Sequence, residues 1–231
     1  MFSPCFGAVL LYREKEIHMN AERIERMIAR AYEAHAMNVV EPPRNMYVND
    51  RGELLHKDRS GEYYEATAES NGHTGAEIIR YIREGLEWPK DTPYLNSWNL
   101  KLGGFSWCGA FAAWCDIELR SDLRKKVLPS TYRLWEYCRG TEREIPLDQI
   151  QRGDIVVIGK KTSKRWGQHI TRAVEVTPTH VLTIEGNAHG RLGDGSWGEG
   201  VVTRRRPFKG HQEGRESWIM FAYRFTDEDY Q

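Results

Sequence analysis

Arg152-Gly153-Asp154-Ile155-Val156-Val157-Ile158 is where the chain changes its period. Arg152-Gly153 opens a strand, and Asp154 to Ile158 is a short β-branched run. Asp154 is catalytic by residue type, but beside Gly153 at a strand start it reads as a turn residue. Downstream the same period continues. His169 to Val176, Val181 to Glu185 after a turn at Thr177-Pro178, Val201 to Arg205 and Trp218 to Phe225 bring the total to about five strands. Upstream, apolar residues recur at helical spacing. Residues 20–38 carry Ile24, Met27, Ile28 and Ala31 on one face behind a possible Asn20 cap, and Pro42-Pro43 end the pattern. Thr74-Gly-Ala-Glu77 fits a capping box ahead of Ile78, Ile79, Ile82 and Leu86, with Pro89 and Pro93 as the stop. Residues 107–115, WCGAFAAWC, are apolar on nearly every side, so that helix, starting near Ser106, belongs in the interior. Thr131 to Cys138 reads as one more short helix. Between residues 41 and 71 the chain is polar, an irregular connector with a short hairpin around Asn49 to Gly52. Helices first and strands later predict an α+β fold, N-terminal helices packed on an antiparallel sheet.

Composition narrows the function classes. Thirty-three basic residues balance thirty-three acidic ones in 231. That neutrality gives no overall pull toward nucleic acid or anionic membrane. The basic runs at Lys160-Lys161 with Lys164-Arg165, and at Arg204-Arg205-Arg206, read as solvated strand ends and loops. No stretch reaches the roughly 18 apolar residues of a membrane span. Phe6 to Tyr12 is short and has its basic residues, Arg13 and Lys15, behind it, so a classical export signal is not expected. Eight tryptophans and eleven tyrosines are many for this length. Most serve as core, and a groove for sugar or peptide would take Trp107, Trp166 and Trp197. The glycine-rich loop from His189 to Gly200 carries Trp197 and can flank such a groove.

Of the cysteines, Cys5, Cys108, Cys115 and Cys138, none forms a C-x-x-C pair, which argues against structural zinc. Cys108 and Cys115 lie two turns apart on one helix, about 10 Å, too far for a disulfide. Cys115 and Cys138 read as small buried apolar residues. Cys108 differs. A thiol attacks an amide as thiolate, and Cys108 stands in the first turn of a buried helix, where free N–H groups favour negative charge. The same N–H groups can face the oxyanion formed on attack, and Gly103-Gly104 upstream let backbone approach a substrate. Gly167-Gln168-His169 opens a strand and supplies a candidate base. Thr183-Ile184-Glu185-Gly186-Asn187 follows, and either Glu185 or Asn187 can hold the imidazole in the right tautomer.

A helix-borne cysteine, a strand-borne histidine and Glu-x-Asn on the next strand, in that order, closely resemble the cysteine, histidine-dependent amidohydrolase/peptidase family, the CHAP domain. The matching pieces are WCGAF at 107–111, RGDIVVI at 152–158, GQHITRAVEV at 167–176, TIEGN at 183–187 and GVVTRRR at 200–206. The resemblance spans roughly residues 73–225, so that residues 71–231 form the CHAP-like domain, and residues 1–70, a helix plus connector, match nothing. It implies a papain-like fold, with Cys108 as nucleophile, His169 as general base, Glu185 orienting it and Asn187 assisting. It also implies hydrolysis of peptidoglycan amides, in the stem peptide or at the sugar–peptide link, without a cofactor or metal. Some members carry calcium, and no D-x-[DN]-x-[DN]-G loop is present here. Thr171 and Arg172 depart from the family, which has a small residue soon after the histidine, and are expected to narrow or recharge the pocket.

The expected partner is the peptidoglycan stem peptide, with delivery machinery or an immunity protein as further partners, and no nucleic acid. The setting is a lysin or a secreted or injected effector, made in the cytoplasm and acting at the bacterial wall. Two other readings compete. One keeps the chemistry and moves it to an intracellular protein as protease or deamidase. The other is a non-catalytic binding or structural module with the same fold, against which the complete Cys-His-Glu-Asn set argues.

Overall fold

The computed structural model describes residues 5–40, 46–48, 54–57, 63–65, 74–89, 106–160, 164–209 and 217–230. The fold is α+β. Among the described residues, five α-helices precede and pack on a six-stranded, wholly antiparallel sheet. In chain order these are α1 (Cys5–Ala36), α2 (Thr74–Arg80), α3 (Cys108–Cys115), α4 (Ser121–Lys126) and α5 (Thr131–Cys138). The sheet strands are β4 (Glu144–Ile145), β5 (Ile155–Lys160), β6 (His169–Val176), β7 (His180–Arg191), β8 (Trp197–Pro207) and β9 (Ser217–Tyr223), in the order β4-β9-β5-β6-β7-β8.

Several boundaries differ from the sequence reading. Helix α1 starts at Cys5, so Asn20 lies inside it rather than capping it. No glycine or proline after Gly7 interrupts that stretch. The helix ends at Ala36, and Asn38 just beyond it, with a φ of 55°, makes the left-handed turn that terminates helices. The supposed irregular connector holds three short strands, β1 (Met46–Val48), β2 (Leu54–Lys57) and β3 (Tyr63–Glu65), in a small antiparallel sheet. Val48 pairs with Leu54, and the expected turn at Asn49 to Gly52 lies outside the described residues, as do Pro42, Pro43, Pro93, Gly103 and Gly104. Runs of three or four residues are too short to show alternation. Helix α2 passes into a π-helical turn, Tyr81–Gly85, which brings the Tyr81 ring against Trp107, Phe111 and Trp114 at centroid distances of 6.0, 5.4 and 4.9 Å. Strands β7 and β8 run well beyond Val181 to Glu185 and Val201 to Arg205, because they continue as one hairpin over the glycine-rich loop. Helix α4 and strand β4 were not expected, whereas α5 and β6 coincide with their sequence limits.

Strand β5 explains the continuous apolar run at 155–158. Ile155 and Val157 face the helices, while Val156 and Ile158 face a second cluster with Ile150, Ala173, Val181 and Ile219. A strand buried on both faces needs no polar alternation. Helix α3 is buried at all eight positions, between the π turn and the sheet. Met27, Ile28, Ala31 and Ala34 of α1 join the same core, and Val201 N–H bonds Val39 carbonyl at 2.7 Å, tying the end of α1 to β8.

Candidate active site

Cys108 is the first residue of α3. Ser106 does not cap it. Trp107 holds that position with no side-chain cap bond, and Ser106 Oγ lies 3.8 Å from Cys108 Sγ. The first amides of a helix have no partner within it, so they remain oriented toward the thiol end. Two glycines allow the assembly. A Cβ on Gly109 would stand 2.1 Å from the Leu128 carbonyl oxygen. A Cβ on Gly186 would stand 2.6 Å from both Trp107 Cζ3 and Phe111 Cβ. Real Cβ contacts are never so short, so β7 lies against the start of α3 only where it has no side chain. That approach sets Glu185 and His169 beside the cysteine.

His169 and the backbone of Ile170 lie close enough to the Cys108 thiol to favour its ionisation. His169 Nε2 lies 3.0 Å from Glu185 Oε2, so Nδ1 is the ring nitrogen that Glu185 does not engage. Glu185 is fully buried. Arg206 Nε donates to its Oε1 at 2.6 Å, and Arg206 Nη2 and Thr183 Oγ1 donate to the same carboxylate. The result is a series of thiol, imidazole, carboxylate and guanidinium whose last three members are joined by hydrogen bonds.

Electrostatics follow this series. Burial pushes the Cys108 thiol up, but the charge and hydrogen bond of His169 outweigh it and hold the thiol at about 7. Burial pushes His169 down, and the opposing charges of Cys108 and Glu185 raise it to about 9. Burial also raises Glu185, but the Arg206 charge and the bonds from His169 and Arg206 hold it well below the carboxylate range. Burial drives the thiols of Cys115 and Cys138 far upward. Among the described cysteines, Cys108 alone is poised to ionise near neutrality. A thiolate beside an imidazolium, at a helix start, is a nucleophile and acid pair suited to acyl transfer.

The structure sorts the other candidates. Asn187 sits in a bulge of β7 with φ 58°, half-buried, and it is Glu185 that bonds His169. Trp107 is fully buried against Tyr81 and Phe111, so it is a wall of the core and not a substrate contact as expected. Trp166 is half-buried, three residues before His169, with its ring 5.0 Å from Tyr132. Trp197 is 63% exposed on the β7–β8 hairpin, beside His189 and Arg191, and lines a groove of about 580 Å³ with Leu182 and Thr203. Thr171 and Arg172 do not reshape the pocket. Thr171 Oγ1 donates to the Ile184 carbonyl, and buried Arg172 turns to Asp116 at 2.7 Å. Asp154 closes the turn before β5. Its Oδ2 accepts from Gln151 N–H at 2.8 Å, and Arg224 clamps both oxygens at 2.7 and 2.8 Å.

Sequence reasoning missed Arg206 and Thr183. Arg206 reads from the sequence as part of a solvated run, yet it is buried. Its register partner is Val181, on the same strand face as Thr183 and Glu185. Alternation from Glu185 back to Thr183 was available as a signal, but the pairing of β7 with β8 was not. Among the described residues, no cluster of three or more His, Cys, Asp or Glu is arranged to hold a metal ion, and no helix is long and apolar enough to cross a membrane. Comparison of the chain with protein-family models, with curated proteins and with solved structures found no match.

Proposed function

We propose that the protein is a papain-like cysteine hydrolase of amide bonds, and that its substrate is the peptide part of bacterial peptidoglycan. The observation that carries the chemistry is the 3.0 Å bond of His169 to buried Glu185, with His169 acting on the Cys108 thiol at the start of α3. The wall as substrate rests on the resemblance of the WCGAF, RGDIVVI and TIEGN segments to CHAP domains.

In this reading the Cys108 thiolate attacks the scissile carbonyl carbon, and the carbonyl π electrons move to oxygen. The amides at the start of α3 receive that oxyanion. As it collapses, the C–N bond breaks, the His169 imidazolium gives its proton to the departing nitrogen, and a thioester remains. A water molecule, deprotonated by the now neutral His169, attacks the thioester. The carboxylic acid leaves and gives its proton to solvent, and the thiolate and imidazolium are restored. Glu185 holds the ring and balances its charge without taking the proton. Arg206 and Thr183 are positioning residues that keep Glu185 ionised and in place.

Digestion of purified peptidoglycan followed by mass analysis of the soluble fragments tests the reading. Each cut adds one water, and the new termini separate an endopeptidase from a sugar–peptide amidase. Walls of every cross-link chemistry left intact by unmodified protein, from a preparation in which iodoacetamide reacts selectively with Cys108, would remove the wall as substrate.

A further inference from the structure

The outer face of α5 and the loop before β6 form one feature. Tyr132, Trp135 and Arg139 lie three and four residues apart on that face. Lys164, Arg165 and Trp166 face them from the loop. The Tyr132 ring is 5.0 Å from Trp166 and 6.3 Å from Trp135. Arg139 and Arg165 lie over Trp135 at 4.1 and 4.9 Å, and Lys164 lies over Trp166 at 5.3 Å. Among the described residues, the contacts of these three cations are with ring faces and not with carboxylates. All three are solvent-exposed, and the rings beneath them are half-buried.

This ledge abuts the catalytic pair on two sides. Thr131 Oγ1 donates to the Gly167 carbonyl at 3.5 Å, two residues before His169. The Leu128-Pro129 segment leading into α5 packs on Gly109, next to Cys108. A peptide cleaved at Cys108 can reach the ledge with the residues that flank the scissile bond.

We propose that this ledge sets specificity by taking an acidic peptide segment beside the scissile amide. Ring faces hold the cations in place and give apolar contact to the peptide, while the cations receive its carboxylates. A stem peptide with free carboxylates is a ligand of this kind. Nucleic acid fits less well, because a nucleic-acid footprint is a broad basic face and the chain is neutral overall, 33 charges against 33. The proposal rests on amide hydrolysis at Cys108, and its test separates the two.

The probe is acetylated hexaglutamate, with hexaglutamine as control, titrated by tryptophan fluorescence into the full chain carrying Cys108→Ala. Hexaglutamate should bind and hexaglutamine should not. The triple variant Arg139→Gln, Lys164→Gln, Arg165→Gln should raise Kd about tenfold, as three exposed charge contacts together allow. The charge-keeping triple Arg139→Lys, Lys164→Arg, Arg165→Lys should restore binding. With active protein, the neutral triple should raise KM for purified wall and leave kcat unchanged. Equal affinity for the two peptides, an unchanged Kd in the neutral triple, or tighter binding of a single-stranded oligonucleotide of equal charge overturns the ledge. If hexaglutamate binds as expected while wall stays intact, the ledge stands and the wall reading falls. If wall is cleaved equally by wild type and neutral triple, the reverse holds.

Discussion

Replacing Arg206 by methionine removes the guanidinium that clamps Glu185 while keeping an apolar side chain of similar length. In the wild type, Glu185 is 0% exposed and is bonded by Arg206, His169 and Thr183. Without Arg206 a buried carboxylate loses its strongest partner, and breaking such a pair from one side costs about 3–5 kcal/mol. For a chain of this size, each kcal/mol is worth roughly 2–4 °C in Tm, so Arg206→Met should melt roughly 6–20 °C lower. Glu185 has a depressed pKa, so its stabilisation is complete above the ordinary carboxylate value, about 4.3, and is lost as pH falls through the depressed one. The gap between wild type and Arg206→Met should therefore be wide at neutral pH and narrow on acidification. The catalytic readout is separate. With Glu185 no longer held ionised, His169 loses part of its charge support, and the Cys108 thiol should titrate higher. Adding Glu185→Gln to Arg206→Met should recover much of the stability, because no buried charge remains, but not the thiol reactivity. Thermal melts at several pH values and iodoacetamide rates for Cys108 measure both effects. A single variant that melts with the wild type at neutral pH and keeps its alkylation profile would refute the role given to Arg206.

The remaining expectations are more local. Alkylation of Cys108 should rise through about pH 7 as the thiol ionises, and turnover should fall through about pH 9 as His169 loses its proton, with Cys115 and Cys138 inert throughout; equal rates for all the buried cysteines would contradict this. Glu185→Gln should lower kcat by about a hundredfold or more, and Asn187→Gly, which keeps the left-handed backbone, by less; the opposite order would make Asn187 the orienting group. Gly186→Ala should cost at least about 1–3 kcal/mol and lower activity, since its Cβ meets Trp107 and Phe111 at 2.6 Å, and an unchanged denaturation midpoint would count against that packing. Asp154→Ala should lose about 3 kcal/mol of stability through Gln151 and Arg224, yet keep its turnover per alkylatable Cys108; lost turnover at an unchanged Tm would make Asp154 catalytic.

Much of this arrangement was readable from the chain, and the unread parts share a cause. The nucleophile helix, the doubly buried β5 run and the limits of α5 and β6 each follow from local spacing and end signals. The order of Cys108, His169 and Glu185 along the chain carries the resemblance to CHAP domains that implies their grouping, whereas the residues alone leave Glu185 and Asn187 both open as partner of His169, and the structure gives the bond to Glu185. Three things were not legible. Arg206 looked like surface because burial of a charge depends on a partner across β7 and β8, and register is a property of two strands. Trp107 looked available to substrate because its residue type suits both core and groove. Arg172 looked like a pocket residue because spacing from His169 does not reveal that Asp116 waits at the other end of α3.

The series running from Cys108 to Arg206 also bears on when the protein becomes reactive. Its members come from the start of one helix and from three strands, and the last, β8, follows β7 by a hairpin. A chain emerging from the ribosome carries Cys108 well before residue 206 exists. Until β8 pairs, Glu185 lacks its guanidinium, and until β6 packs on α3 the thiol has no imidazole. Such a thiol keeps an ordinary value of about 8.5 and is mostly protonated in the cell. Nucleophilicity is then the last property the molecule acquires, through contacts of high sequence separation that close late. In nascent, truncated or locally opened chains Cys108 is without its activating partners, and its reactivity at neutral pH, unlike that of Cys115 and Cys138, becomes a report of the completed native state.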